Sequence, residues 1–128
     1  MNQPISRTEA PEHIAIKAAI NAYFLGHAQQ SASVMRTAFH DSARIEGNRQ
    51  DAFASWTVDE FCGFFKGTPA ADESTRVRTI DWIDFDGDAG AAKATLVHGQ
   101  TTFTDYFVLL KIKNEWKVAN KAYSARSS

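Results

Sequence analysis

An aspartate stands inside an apolar stretch, FTDYFVLLKIK, with Phe103 and Phe107 two residues away on either side. A carboxylate in such a strand costs stability unless a partner or a function uses it. Burial raises the pKa of a carboxyl group, which suits a general base near neutral pH. Asp105 is therefore the first candidate for chemistry. Its strand leads into KNEWKVANKAY. A two-residue turn at Lys113-Asn114 pairs residue 112 with 115. Asp105 then pairs with Ala122 and shares a helix-facing side with Trp116, Val118 and Asn120. A turn one residue longer would set Asp105 opposite Lys121 as a cross-strand ion pair. The sequence leaves both registers open.

Other residue types invite the same test. Tyr23 lies on an apolar helical stripe, where a core tyrosine bonded to a backbone group is the plainer reading. His40, next to Asp41, is an acid/base candidate if it points inward, although a histidine at a helix C-terminus is also favoured by the helix dipole. His98 adjoins a turn and is expected to be exposed. His13 and His27 share a helix but are too far apart to hold one metal. No HxH, HxxxH or carboxylate cluster has ligand spacing, so neither metal nor cofactor is expected. Trp56, Trp82, Phe61, Phe65 and Phe107 could wall a pocket for a planar ligand, or simply form core. Cys62 has no histidine partner in view and reads as packing. Phosphate loops, dinucleotide fingerprints and nucleophile elbows are missing from the sequence.

These side chains need elements to hold them. The 128 residues suit one domain, and a net charge of −1 argues against nucleic acid as a partner. No apolar run approaches the ~20 residues of a membrane span, and the polar MNQPISRTEAPEH is no secretory signal. The single cysteine excludes an internal disulfide. The expected location is the cytoplasm.

Residues 1–7 are expected to be a disordered tail, residues 8–125 one domain, and residues 125–128 frayed. Residues 8–27 read as a helix with Thr8 as N-cap, Ile16, Ile20, Tyr23, Phe24 and His27 as one stripe, and Gly26 at its end. A short helix fits 33–39. Two short strands follow, with Gly47-Asn48 as their turn. Thr57 and Glu60 form a capping box, opening a helix that Gly67 and Pro69 close. The polar 68–74 segment is expected to be mobile. Long strands then alternate with turns at 86–88, 98–100 and 113–114. The fold class is α+β: N-terminal helices packed on one face of a curved antiparallel meander sheet. Both faces of strand 103–112 are apolar. Tyr106, Val108, Leu110 and Ile112 therefore predict a homodimer through the outer sheet face.

Four segments, in this order, carry a resemblance across almost the whole chain. They are Tyr23-Phe24 with Gly26, AFHDSARI at 38–45, TIDWIDFDGDAGAAKA at 79–94 and TDYFVLLKIKNEWKVANK at 104–121. The last is the most specific. Together they resemble the nuclear-transport-factor-2-like superfamily, closest to its SnoaL-like and putative lumazine-binding branch. The resemblance implies a cone with a pocket rather than one activity. It implies that Tyr23 could donate a hydrogen bond to a substrate oxygen, as a first-helix tyrosine does in isomerases of the superfamily.

Three readings follow. The first is a domain binding a small hydrophobic or planar ligand, with Trp56, Phe61, Phe65, Phe107 and Asn120 as walls. The second is a cofactor-independent lyase or isomerase moving a proton next to a carbonyl, with Asp105 as base and Tyr23 or His40 polarising the oxygen. No second mid-strand acid clearly faces the same cavity, since Asp81 could face either way. The third is a dimerisation or adaptor module whose cone is filled by its own side chains.

Overall fold

Ala10 caps the first helix and Pro11 opens it, where a missing N–H costs nothing. The computed structural model describes residues 10–127, so the expected cap Thr8 and the expected 1–7 tail lie outside the described residues. Helix α1 (Pro11–Gln29) buries Ile16, Ile20, Tyr23 and Gly26 along one face. Gly26 is not the helix end. A Cβ there would come within 2.8 Å of Met35 Cα, so the glycine lets α2 (Ala32–Thr37) cross closely. The helix stops instead at Gln30, in the left-handed region with φ 53°. α2 ends two residues earlier than expected, because Phe39 already starts a strand.

The six strands are β1 (Phe39–Arg49), β2 (Ala52–Thr57), β3 (Val77–Asp86), β4 (Ala89–His98), β5 (Thr101–Ile112) and β6 (Glu115–Ser127). They form one sheet in the order β2-β1-β6-β5-β4-β3. β3 to β6 make the expected antiparallel meander. β1, however, runs parallel to β6, so the α+β domain carries a mixed sheet rather than a purely antiparallel one. The β1–β2 turn is at Gln50-Asp51, with φ 50° and 66°, not at Gly47-Asn48. Gly47 lies inside β1, where a Cβ would sit 2.7 Å from the Tyr123 ring.

The capping box of α3 (Val58–Cys62) forms as read: Thr57 and Glu60 each accept from the other's backbone N–H. The helix stops at Gly63, short of Gly67 and Pro69. Gly67 instead donates its N–H to the Gln30 carbonyl at 2.7 Å, tying this segment to the end of α1. The far end of the polar 68–74 segment enters a 3-10 turn at Glu73–Thr75, and Arg78 grips Glu73 with two hydrogen bonds of 2.6 and 2.8 Å.

The β5–β6 hairpin turns at Lys113-Asn114 and pairs Ile112 with Glu115, as expected. The register then shifts. Leu109 faces Val118, but Val108 faces Asn120, leaving Ala119 as a bulge. One extra residue reverses the facing of everything beyond it. Lys121 thereby joins Trp116 and Val118 on the inner face, and Asn120 turns outward opposite Val108. Past Lys121, β6 stays paired to Ser127, so residues 125–127 are strand rather than frayed end. Among the described residues no helix is long and apolar enough to cross a membrane.

Candidate functional site

Two ends of the inner face differ. Near the β5–β6 turn, Ile16 and Ile20 of α1 pack over Ala92, Leu109 and Val118, all buried. Trp116 donates to Glu12 at 2.7 Å, and Lys111 reaches the same carboxylate at 3.3 Å, fastening the start of α1 there. Toward the other end lies a cavity of about 200 Å³. Trp56, Phe61, Phe64 and Phe65 line one side of it, and Leu96, His98 and Phe103 another. The deepest polar residues on it are Tyr23, Asp105 and Lys121.

Those three form one chain of hydrogen bonds. Lys121 Nζ donates to the Tyr23 hydroxyl at 2.6 Å, and that hydroxyl donates to Asp105 Oδ2 at 2.5 Å. Nζ and Oδ2 are 3.6 Å apart. The lysine also lies over the rings of Tyr23, Phe61 and Tyr123, at 4.6, 5.0 and 5.3 Å. Burial pulls the Lys121 pKa below its ordinary value against the opposing pull of Asp105. Burial, with Asp105 adding to it, pushes the Tyr23 phenol well up, so it stays protonated.

Two histidines, His27 and His98, line the same cavity. The His27 ring meets Tyr23, Phe65 and His98 edge-on, at 4.8, 5.1 and 5.8 Å. Burial, with Lys121 adding to it, pulls His27 well below its usual pKa. His98 falls to about 4, first through burial and then through Arg76 and Arg78. Both rings are thus neutral at pH 7. Among the described residues, His27 Nε2, His98 Nε2 and the Tyr123 hydroxyl are buried and lack a hydrogen-bond partner. All three belong to residues lining the cavity. Unpartnered buried polar atoms are few in folded proteins, and three around one cavity are a concentrated cost. Tyr123 occupies the space left by Gly47 and stacks parallel to Trp56 at 6.2 Å.

Residues 11–124 match the family described as "putative lumazine-binding". The chain belongs to that family. Among curated proteins none matches it. Solved structures do. An NTF2-like protein of unknown function from Shewanella baltica OS155 is 25% identical with a TM-score of 0.83, over 98% of this chain and 100% of that one. Another, from Methylobacillus flagellatus KT, is 23% identical with a TM-score of 0.81, over 97% and 100%. A ketosteroid isomerase-like protein from Erwinia carotovora atroseptica is 15% identical with a TM-score of 0.68, over 92% and 98%. The fold is thus the NTF2-like cone.

Within this family member the sequence-derived candidates divide. Asp105, Tyr23, Trp56, Phe61 and Phe65 meet at the cavity. Phe107 is buried behind it, edge-on to Tyr23 at 5.3 Å, and does not line it. Asn120 is carried to the outer face by the bulge. His40 bonds to Ser42 at 2.8 Å, beside a separate groove with Ile112 and Lys113 at the turn end of the hairpin. It does not line the cavity. Trp82 is exposed on the opposite side of β3, and Asp81 is exposed and accepts from Thr95 at 2.6 Å. The two alternatives for Asp105 turn out not to exclude each other: it lines the cavity and pairs with Lys121. Its strand partner is Tyr123, not Ala122.

His98 is half-buried in the cavity wall rather than exposed. Lys121, His27, Arg49 and Tyr123 also line the cavity. The sequence hint was weak: His27 shares the buried stripe with Tyr23, and Lys121 needed the bulge. Among the described residues no group of three His, Cys, Asp or Glu side chains could hold a metal ion.

Proposed function

We propose that this chain binds a small planar molecule of one or two rings, with a polar edge, in the aromatic cavity of the cone. The observation that carries this is the set of unpartnered polar atoms, His27 Nε2, His98 Nε2 and the Tyr123 hydroxyl, around a largely aromatic space. A ring bearing nitrogen and carbonyl groups would satisfy them while its faces met Trp56, Phe61 and Phe65. Size supports the same class. A cavity of about 150 Å³ holds benzene. The 200 Å³ here suits one substituted ring or two fused rings, not a steroid. The family description names lumazine, itself a two-ring heterocycle.

Thermal unfolding with a panel of one-, two- and three-ring heterocycles, lumazine and a flavin included, tests this. A two-ring ligand at a hundredfold excess over its dissociation constant should stabilise by about 2.7 kcal/mol. Leu96→Trp, which fills the cavity, should abolish that gain. Equal gains in the filled variant would sink the proposal.

A second reading is supported by Asp105 on the cavity wall. The protein would then be a cofactor-independent isomerase or lyase with Asp105 as base. Tyr23 already gives its hydrogen to Asp105, so the group polarising a substrate oxygen would be a histidine or Tyr123. Loss of turnover in Asp105→Asn with the fold retained would select this reading. A filled cone is the least supported, since a cavity is present.

The outer face of β5 exposes Tyr106, Val108 and Leu110 in one row, which supports a homodimer there. Val108→Glu should yield a monomer by sedimentation, and an unchanged mass would remove this face as the interface. We place the protein in the cytoplasm, where its lone buried Cys62 thiol needs no partner.

A further inference from the structure

We propose that Lys121 is an imine-forming lysine: its amine condenses with a small aldehyde or ketone held in the aromatic cavity. This rests on the reading that the cavity admits small planar molecules. An amine attacks a carbonyl only as the free base, so it needs somewhere to leave its proton, apolar surroundings, and room for the electrophile. Lys121 has all three. It is 4% exposed and lines the cavity, whereas Lys17, Lys66 and Lys113 are exposed. Its proton has a route that needs no water. Tyr23 can pass its phenolic proton to Asp105 across 2.5 Å and take one from Nζ across 2.6 Å. The result is a neutral amine, an unchanged tyrosine and a protonated acid.

The reaction then balances. The Nζ lone pair forms a bond to the carbonyl carbon, and the C–O π pair moves onto oxygen. A proton passes from nitrogen to that oxygen, giving a carbinolamine. Asp105 returns its proton through Tyr23, the C–O bond breaks, and water leaves as the C=N⁺ bond forms. The product is again a cation beside a carboxylate. The rings of Tyr23, Phe61 and Tyr123 that surround the ammonium would surround the iminium equally well. The lowered pKa of Lys121 agrees with this use, because it enlarges the free-base fraction. A purely structural ion pair would explain the contact with Asp105, but would gain nothing from lying on the wall of an open cavity.

The test is reductive trapping with 3-hydroxybenzaldehyde and cyanoborohydride at pH 7.5, read by intact mass and peptide mapping. Its alcohol, 3-hydroxybenzyl alcohol, serves as the reversible ligand without a carbonyl. The expected result is an adduct at Lys121 at least an order of magnitude faster than at any surface lysine. Excess alcohol should suppress it, and Asp105→Asn should slow it. Lys121→Arg, which keeps the charge, should lose only that adduct. If the alcohol raises the melting temperature but Lys121 labels no faster than the surface, the imine is overturned and the binding pocket stands. If the alcohol does not bind and Lys121 does not label, the imine is overturned, and the heterocycle panel alone decides the binding reading. Mapping in the wild-type protein does not depend on any variant folding.

Discussion

One hairpin, β5–β6, builds two unlike regions. On the turn side of the Ala119 bulge, Leu109, Trp116 and Val118 are buried in one core cluster with Ile16 and Ile20. β4 contributes only small inner residues there, Gly90 and Ala92, and a Cβ on Gly90 would come within 3.2 Å of Ile16 Cδ1. Beyond the bulge the same two strands present Asp105, Lys121 and Tyr123, and the space between sheet and helices opens. The contrast teaches how a packed core and an open cavity can be built along a single element. Close packing at one end anchors α1. That anchor lets the other end hold a buried ion pair, two neutral histidines and a void, none of which helps the fold by itself.

The comparison can be broken most strongly at the ion pair. Lys121→Met leaves Asp105 buried without its cation and should cost about 3–5 kcal/mol in urea unfolding. The double variant Lys121→Met with Asp105→Leu should recover most of it, because two apolar side chains need no counter-charge. A double variant as weak as the single would mean that the pair itself contributes the stability.

Packing gives the next test. Leu109→Ala at the close-packed end should cost about 3–5 kcal/mol. Leu96→Ala, beside the cavity, already lacks neighbours on one side and should fall near the low end of the range, about 2–3 kcal/mol. Equal losses would show that the two ends are equally well packed.

The smallest effect is on pH dependence. His27 and His98 have folded-state pKa values below their unfolded ones, so on acidification the unfolded chain takes up protons first. Stability should be indifferent to them above about pH 7 and fall as pH drops through 6.5, with the His98 share complete near pH 4. A fully buried histidine gives a slope of about 1.4 kcal/mol per pH unit, and solvent screening makes the share of half-buried His98 smaller. Denaturant titrations at several pH values should show a shallower fall in His98→Gln than in the parent. Superimposable profiles would exclude His98 from the linkage.

Local pattern was enough for much of this protein. Periodicity marked the buried face of α1, the capping box marked α3, and Lys113-Asn114 marked the hairpin that makes a long meander. Those signals are short-range, and so are the forces behind them. Gly26 and Gly47 show the limit. Each looked like a stop or a turn, yet each is present because a residue far along the chain, Met35 or Tyr123, needs the room.

The candidate site was half legible for the same reason. An acid in an apolar strand announces itself, and so does a tyrosine on a buried stripe. What the sequence alone determined is therefore the cone, its helices, the turn of the last hairpin and the choice of Asp105 as a candidate. The tertiary structure decided that Lys121 and not Asn120 faces inward, that β1 lies parallel to β6, and that His98 joins His27. A bulge adds one unpaired residue with no local signature, because its energy lies in how two strands fit the curvature of the whole sheet.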